Sequence, residues 1–196
     1  MFDRVPPPLL EDVRRRHAEP QRHYHDWSHI EALLGHFSTI ADKIEDRDTV
    51  LYAVLFHDSV YDPRAKDNER RSAALLVDAA PPISEPSLAL ARRMIEATEG
   101  HYLPGDLADA GQGDCAHFLD MDLAILGAAE ERFDIYEDQV RREYAHVPGD
   151  AFRTGRAQVL RHFAGREVLY FSDWGRDRFE ARARANIARS LAALEG

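Results

Sequence analysis

Apolar residues recur along the chain at intervals of three and four, and no stretch shows the sustained two-residue alternation of an exposed strand, so the pattern predicts helices throughout. The cleanest stripe is Ile30, Leu33, Leu34, Phe37, Ile40, Ala41 and Ile44. Ser28 and Glu31 stand ahead of it at capping-box spacing, which starts the helix near Ser28 and puts His29 in its first turn. The next helix, from Thr49 to Val60, is apolar nearly all round, as suits a central buried helix, and ends in His57 and Asp58. After a turn at Tyr61, Asp62 and Pro63, a third helix starts at Asp67 and carries Ala73, Leu76 and Ala80. Pro82 and Pro86 bracket the connection to a fourth, with Leu88, Ala91, Ile95 and Thr98, ended by Gly100.

Gly105, Gly111 and Gly113 mark a loop, after which Cys115, Phe118, Leu119, Ile125 and Leu126 outline a fifth helix closed by Gly127. Three further stripes follow: Phe133, Tyr136, Val140 and Tyr144; then Phe152, Val159, Leu160 and Phe163; then Phe179, Ala183, Ile187, Leu191 and Leu194. The run Val168 to Phe171 could be extended, but one strand without a partner makes no sheet. A chain of 196 residues suffices for one well-buried core and is short for two. The expectation is an all-α fold, a helical bundle of about eight helices forming a single domain over 1–196.

Composition narrows the function classes. Apolar residues at 44% and charged residues at 31% are those of a globular protein. No apolar run approaches the roughly twenty residues of a bilayer crossing, and the Pro6, Pro7, Pro8 start lacks the apolar stretch of a secretory signal, so the cytoplasm is the expected compartment and no membrane is a partner. Cys115 is the single cysteine, which excludes an internal disulfide and a thiolate-rich zinc site; a metal would be held by nitrogen and oxygen. A net charge of -10 disfavours long nucleic acid, whose binding needs displaced counterions, while leaving room for a local basic pocket that takes a small anion.

Three places carry candidate chemistry. His57 and Asp58 end a helix that is otherwise apolar, an expensive position for both groups unless something satisfies them. Because a second His-Asp pair occurs at His25 and Asp26, the dipeptide alone is a weak signal. Asp122 falls on the apolar stripe between Phe118 and Ile125, whereas Asp120 points to roughly the opposite side. An inward carboxylate needs a partner, and Arg156, set between Phe152 and Leu160, could be that partner or could hold a substrate phosphate. The segment Arg22, His23, Tyr24, His25, Asp26, Trp27, Ser28, His29 is dense in imidazole and aromatic groups at a helix start, where free N–H groups can also meet an anion.

In order and spacing, His29, His57 with Asp58, and Asp122 resemble the H…HD…D signature of the HD superfamily of metal-dependent phosphohydrolases. More closely, the chain resembles a bacterial branch of predicted HD phosphohydrolases. The matching pieces are Tyr24, His25 and His29; the block His57 to Pro63 with Asn68, Glu69 and Ser72; and Asp120 to Gly127. The likeness extends from Arg22 to the end, through Arg142, Glu143, Tyr144, Gly155, Arg156, Ala185 and Asn186. The resemblance implies that His29, His57, Asp58 and Asp122 ligate a divalent ion, a choice of Asp122 over Asp120 that agrees with the helical-face argument. Two nitrogens and two oxygens suit Mn²⁺, Fe²⁺, Co²⁺, Ni²⁺ or Zn²⁺, and suit Mg²⁺ less.

The expected function is hydrolysis of a phosphate ester or anhydride of a small, possibly nucleotide, substrate by metal-activated water. Asp58 would act with Glu69, which orients or deprotonates the water from the first turn of the third helix, though an acidic residue is also favoured there by the helix dipole. Arg22 and Arg156 are the expected phosphate donors. His25 would be a substrate or supporting contact, Asn68 and Ser72 would support the pocket, and His101 would contact substrate or a second metal. Three other readings stay open from the sequence: an HD-type diiron oxygenase, for which the interval before Asp122 offers only His101 and His117, a nucleotide- or metabolite-binding module without turnover, and a purely structural helical protein with fortuitous histidines. The alanine-rich last helix could serve the core or a homodimer contact.

Overall fold

Prolines set the start of the first helix. In the computed structural model, which describes residues 2–196, prolines open the first turn of α1 (Pro7–His17), where a missing N–H costs nothing. The apolar period predicts no helix here, because Leu9, Leu10 and Val13 are its only aliphatic residues; the buried face is Val13 completed by the imidazole of His17.

Helix α2 (Trp27–Thr39) begins where the stripe places it, but its cap is Asp26: the carboxylate accepts from Ser28 N at 2.8 Å and Ser28 Oγ at 2.6 Å. Glu31, expected to close a capping box, instead accepts from Trp27 Nε1 at 3.0 Å. The helix stops at Thr39 and a 3-10 turn, Ala41–Lys43, carries the chain on toward buried Ile44. In α3 (Arg47–Phe56) every residue from Thr49 to Phe56 is buried, as its all-round apolar character requires. Asp114 accepts from the backbone N–H groups of Glu45 at 2.9 Å and Asp46 at 2.8 Å, and Asp46 in turn caps α3 through Thr49 N at 3.0 Å. Helices α4 (Asn68–Ala79) and α5 (Glu85–Ala97) pack against each other and both pack on α3. Helix α6 (Asp109–Asp122) takes in Gly111 and Gly113, which the sequence assigns to a loop, and then tightens into a 3-10 turn, Leu123–Gly127, instead of running on as α-helix.

The remaining helices are α7 (Glu130–Glu143), α8 (Gly149–Ala164) and a one-turn α9 (Asp173–Gly175), which runs through a π-helical stretch, Arg176–Glu180, into α10 (Ala181–Glu195). Helix α10 packs on α8 and on the 3-10 turn. The segment Val168 to Phe171 is neither strand nor helix; the N–H groups of Leu169 and Tyr170 donate to the Glu180 carboxylate at 3.0 and 3.2 Å. On α8, Val159 is exposed and the buried positions are Ala157 and Leu160.

The described residues are thus all-α, with no strand among them. Where length alone suggests one domain, the chain divides into two compact units, Met1–Met121 and Asp122–Gly196. Among the described residues no helix is long and apolar enough to cross a membrane.

Candidate metal centre

The local chain around His57 fixes its chemistry. Helix α3 ends at Phe56, and the His57 ring folds back so that Nδ1 lies 2.9 Å from the Val54 carbonyl. A carbonyl can only accept, so Nδ1 carries a proton, and whenever the ring is neutral Nε2 presents a lone pair. That lone pair faces His29 Nε2 at 3.1 Å and Asp58 Oδ2 at 3.0 Å, while His29 Nε2 and Asp58 Oδ2 are 3.6 Å apart. Both imidazoles are buried, and the Asp58 side chain is 17% exposed. Lone pairs and a carboxylate oxygen gathered this closely repel unless a proton or a metal cation lies among them.

The spacing is that of ligands around one ion. Metal–ligand bonds of about 2.0–2.2 Å place neighbouring ligand atoms about 2.8–3.6 Å apart in tetrahedral or octahedral arrangements, a range that brackets all three separations. Asp122, the last residue of α6, brings a carboxylate oxygen to the same place: ligand atoms of His29, His57 and Asp122 all lie within 4.8 Å of one another. The donor set is imidazole and carboxylate, suited to a borderline divalent cation.

The charges around the cluster favour an ionised Asp58. Burial alone would raise its carboxyl, but where the imidazoles of His57, His25 and His29 carry protons, their charges and a hydrogen bond from His57 outweigh burial and hold it below the usual carboxylate range. Glu69, half-buried in the first turn of α4, is shifted the other way: burial raises it first, and the neighbouring charges of Asp58 and Glu99 raise it further, against a lowering contribution from His101. A carboxyl raised by burial and by a neighbouring negative charge accepts a proton more readily than an ordinary carboxylate.

The other sequence-derived candidates divide by what they touch. His25 stacks on Tyr61 with ring centroids 4.2 Å apart and lies 6.0 Å from the His29 ring, at the edge of the cluster. His101 follows α5 in a left-handed conformation, φ 49°, which a non-glycine residue adopts only when its surroundings enforce it, and its charge reaches Glu69. Arg22 is not placed as an open phosphate donor. Its side chain is fully buried and donates to the carbonyls of His25 at 2.9 Å, Asp58 at 2.7 Å and Ser59 at 3.3 Å, and to Glu19 at 3.1 Å. Arg156 is likewise engaged: it pairs with Glu137 through Nε and Nη2 and donates to Tyr136 Oη at 2.9 Å. Asn68 spans the backbone of Asp62, accepting from N at 3.1 Å and donating to O at 2.9 Å, and Ser72 does the same for Val60 at 3.0 and 3.3 Å. Both therefore brace the loop that follows Asp58 and support the site through backbone.

Two features of the site were not legible as chemistry in the sequence. Asp120, assigned to the side opposite the stripe, is completely buried, while Asp122 is only half-buried: Phe118, Leu119, Asp120 and Met121 are buried in succession, so this part of α6 is covered on nearly all sides and a single stripe does not decide burial. His17 is also buried, its Nδ1 bonded to the Val13 carbonyl at 2.9 Å and its Nε2 without a partner. The spacing Leu10, Val13, His17 was the available signal, a histidine on the apolar face of a short helix. Comparison of the chain with protein-family models, curated proteins and solved structures finds no match.

Proposed function

We propose that the chain is a metal-dependent phosphohydrolase that cleaves a phosphate ester or anhydride of a small substrate, with His29, His57, Asp58 and Asp122 holding one divalent ion. The observation that carries this reading is the triangle of His57 Nε2, His29 Nε2 and Asp58 Oδ2, at 3.0, 3.1 and 3.6 Å, with Asp122 beside it. The order of these residues, and the blocks around them, resemble the HD superfamily.

When bound, the ion would neutralise phosphoryl oxygens and acidify water, the two obstacles to hydrolysis of a phosphate anion. The protein's own groups supply the rest. Asp58 and Asp122 bring negative charge that retains a cation, and the Val54 carbonyl keeps His57 in the tautomer whose Nε2 can ligate. Glu69 accepts the proton released by the attacking water, a role its raised carboxyl suits. With Arg22 and Arg156 engaged elsewhere, the substrate contacts are assigned to His25, whose ring lies 6.0 Å from that of His29, and to His101. A single cluster of three such ligands is found among the described residues, and this favours one ion over the two irons of an oxygenase.

Metal analysis of the purified protein, followed by a phosphate-release screen with Mn²⁺, Co²⁺, Ni²⁺, Mg²⁺ and Zn²⁺, tests the proposal. About one ion per chain and release that vanishes in Asp58→Ala are expected. Tight binding of a nucleotide without release under any ion would replace the enzyme by a binding module, and two irons with oxygen-dependent turnover would replace it by an oxygenase.

A further inference from the structure

Directly after Asp122, the stretch from Leu123 to Ala128 is held through its carbonyls by side chains from later in the chain. Tyr170 Oη donates to the Leu123 carbonyl at 2.9 Å, Asn186 Nδ2 to those of Leu126 at 2.9 Å and Ala128 at 3.0 Å, and Arg182 Nε to that of Gly127 at 2.9 Å. The end of a helix leaves carbonyls that its own N–H groups do not meet, and such an end ordinarily frays. Here a phenol, an amide and a guanidinium meet them, and Tyr170 and Asn186 are both buried.

The donors are themselves fixed. The Glu180 carboxylate accepts from the N–H groups of Leu169 and Tyr170 at 3.0 and 3.2 Å and pairs with Arg184 at 2.7 Å. The irregular segment that carries Tyr170 is thereby tied to the π-helical stretch leading into α10. Asn186 stands within α10 and spends both protons of its amide nitrogen on carbonyls two residues apart, which admits a narrow range of turn conformations. Asp122 is the last residue of α6, with helical φ −66° and ψ −43°. An aspartate side chain is short, so its backbone decides where its oxygens can lie, and metal–ligand distances tolerate only about 0.2 Å.

We infer that Tyr170 and Asn186 are positioning residues for the metal ligand Asp122, acting through the backbone of the turn that follows it. This rests on the proposed metal centre. Neither side chain meets the ion; both fix the point from which the carboxylate projects, and so set how tightly the ion is held.

The test is Co²⁺ and Mn²⁺ binding to wild type, Tyr170→Phe, Asn186→Ala and Asp122→Ala, with thermal melting of each metal-free protein so that affinity is read where each is folded. Tyr52→Phe is the matched control: it also deletes the hydroxyl of a buried tyrosine that donates to a backbone carbonyl, that of Arg4 at 3.1 Å. Partners that orient metal ligands change affinity by roughly 10- to 100-fold when removed, and action through the backbone places these two at the lower end. Co²⁺ affinity should therefore fall roughly 10-fold in Tyr170→Phe and in Asn186→Ala, with a shifted visible Co²⁺ spectrum, while Tyr52→Phe binds as wild type does whatever its melting temperature. Should one of the two variants fail to fold, the other carries the same reading. Wild-type affinity in either folded variant, or an equal loss in Tyr52→Phe, overturns the inference; if Asp122→Ala is then clearly weaker than wild type, the metal centre stands. Failure of the wild type to bind either ion overturns both.

Discussion

Arg22 holds Asp58 by its backbone: Nη1 donates to the Asp58 carbonyl at 2.7 Å, across 36 residues of chain, and the same guanidinium reaches the carbonyls of His25 and Ser59. One buried cation thus ties the histidine-rich segment ahead of α2 to the loop behind α3, and the two stretches that carry candidate metal ligands are held in register by the protein itself. An arginine beside a proposed phosphate site would ordinarily be read as a substrate contact; here the guanidinium spends four hydrogen bonds on the protein.

Replacing Arg22 should therefore damage stability and metal binding together. Arg22→Met leaves three carbonyls short of a donor, and the expected loss is about 3 kcal/mol in denaturant melts of the metal-free protein. Arg22→Lys, with one ammonium in place of a planar fork, should recover only part of it. If Arg22→Met kept wild-type stability and lost only substrate affinity, the arginine would be a phosphate ligand after all.

The metal-free protein should lose stability in acid through His17. Burial, with a smaller part from the Arg22 charge, lowers its pKa to about 4, although the Val13 carbonyl pulls the other way. An unfolded histidine titrates near 6.5, so between roughly pH 6.5 and 4 the unfolded chain binds the proton that the folded chain refuses. Stability from this group is complete above the upper limit, shrinks as pH falls, and amounts to about 3 kcal/mol over the whole window. Denaturant melts at several pH values, with chelator present, should show a flatter acid slope in His17→Phe than in wild type. Equal slopes would mean that the His17 ring charges freely in the folded state.

How far the sequence revealed this arrangement depends on where helical periodicity holds. Helices α2 and α3 were legible because their aliphatic residues repeat without interruption, and α1 was not, because half of its buried face is His17. His29, His57 and Asp122 could be named in advance through the order and spacing they share with the HD signature, and of the three Asp122 alone was also singled out by its place on an apolar stripe. What lay beyond reach was how polar side chains are spent. Arg22 and Arg156 look alike as free cations in a sequence, and only the carbonyls and carboxylates brought to them in space show that both are engaged.

The neighbouring aspartates of α6 should separate cleanly by substitution. Asp120 is completely buried and absent from the ligand cluster, so Asp120→Asn should lower metal-free stability by about 1–3 kcal/mol while leaving stoichiometric metal uptake intact once folded. Asp122→Asn should melt close to wild type without metal and lose most of its affinity for Co²⁺, because a neutral amide is a poor ligand for a divalent ion. Calorimetric titration of both variants reads the two effects independently. Retained Co²⁺ affinity in Asp122→Asn would remove Asp122 from the ligand set.

Gly127 gives the last prediction, and its reason differs from the one its position suggests. A glycine after a helical stripe reads as a terminator in the left-handed region, yet no glycine in the described residues has positive φ. A Cβ at Gly127 would instead lie 2.6 Å from Phe179 Cβ, 2.7 Å from its carbonyl oxygen and 2.8 Å from its Cα. Two of those three atoms are backbone, so no side-chain rotation relieves the overlap, and the π-helical stretch that carries Phe179 would have to move away from the 3-10 turn. Gly127→Ala is expected to cost about 2–4 kcal/mol, read from denaturant melts, whereas Gly155→Ala, where an added Cβ meets nothing within 4 Å, should be neutral or slightly stabilising. Since the Gly127 carbonyl is also the acceptor for Arg182, the displaced turn should disturb Asp122 and weaken metal binding in the same variant. A Gly127→Ala protein with undiminished stability would show that the turn and the π-helical stretch can separate at little cost.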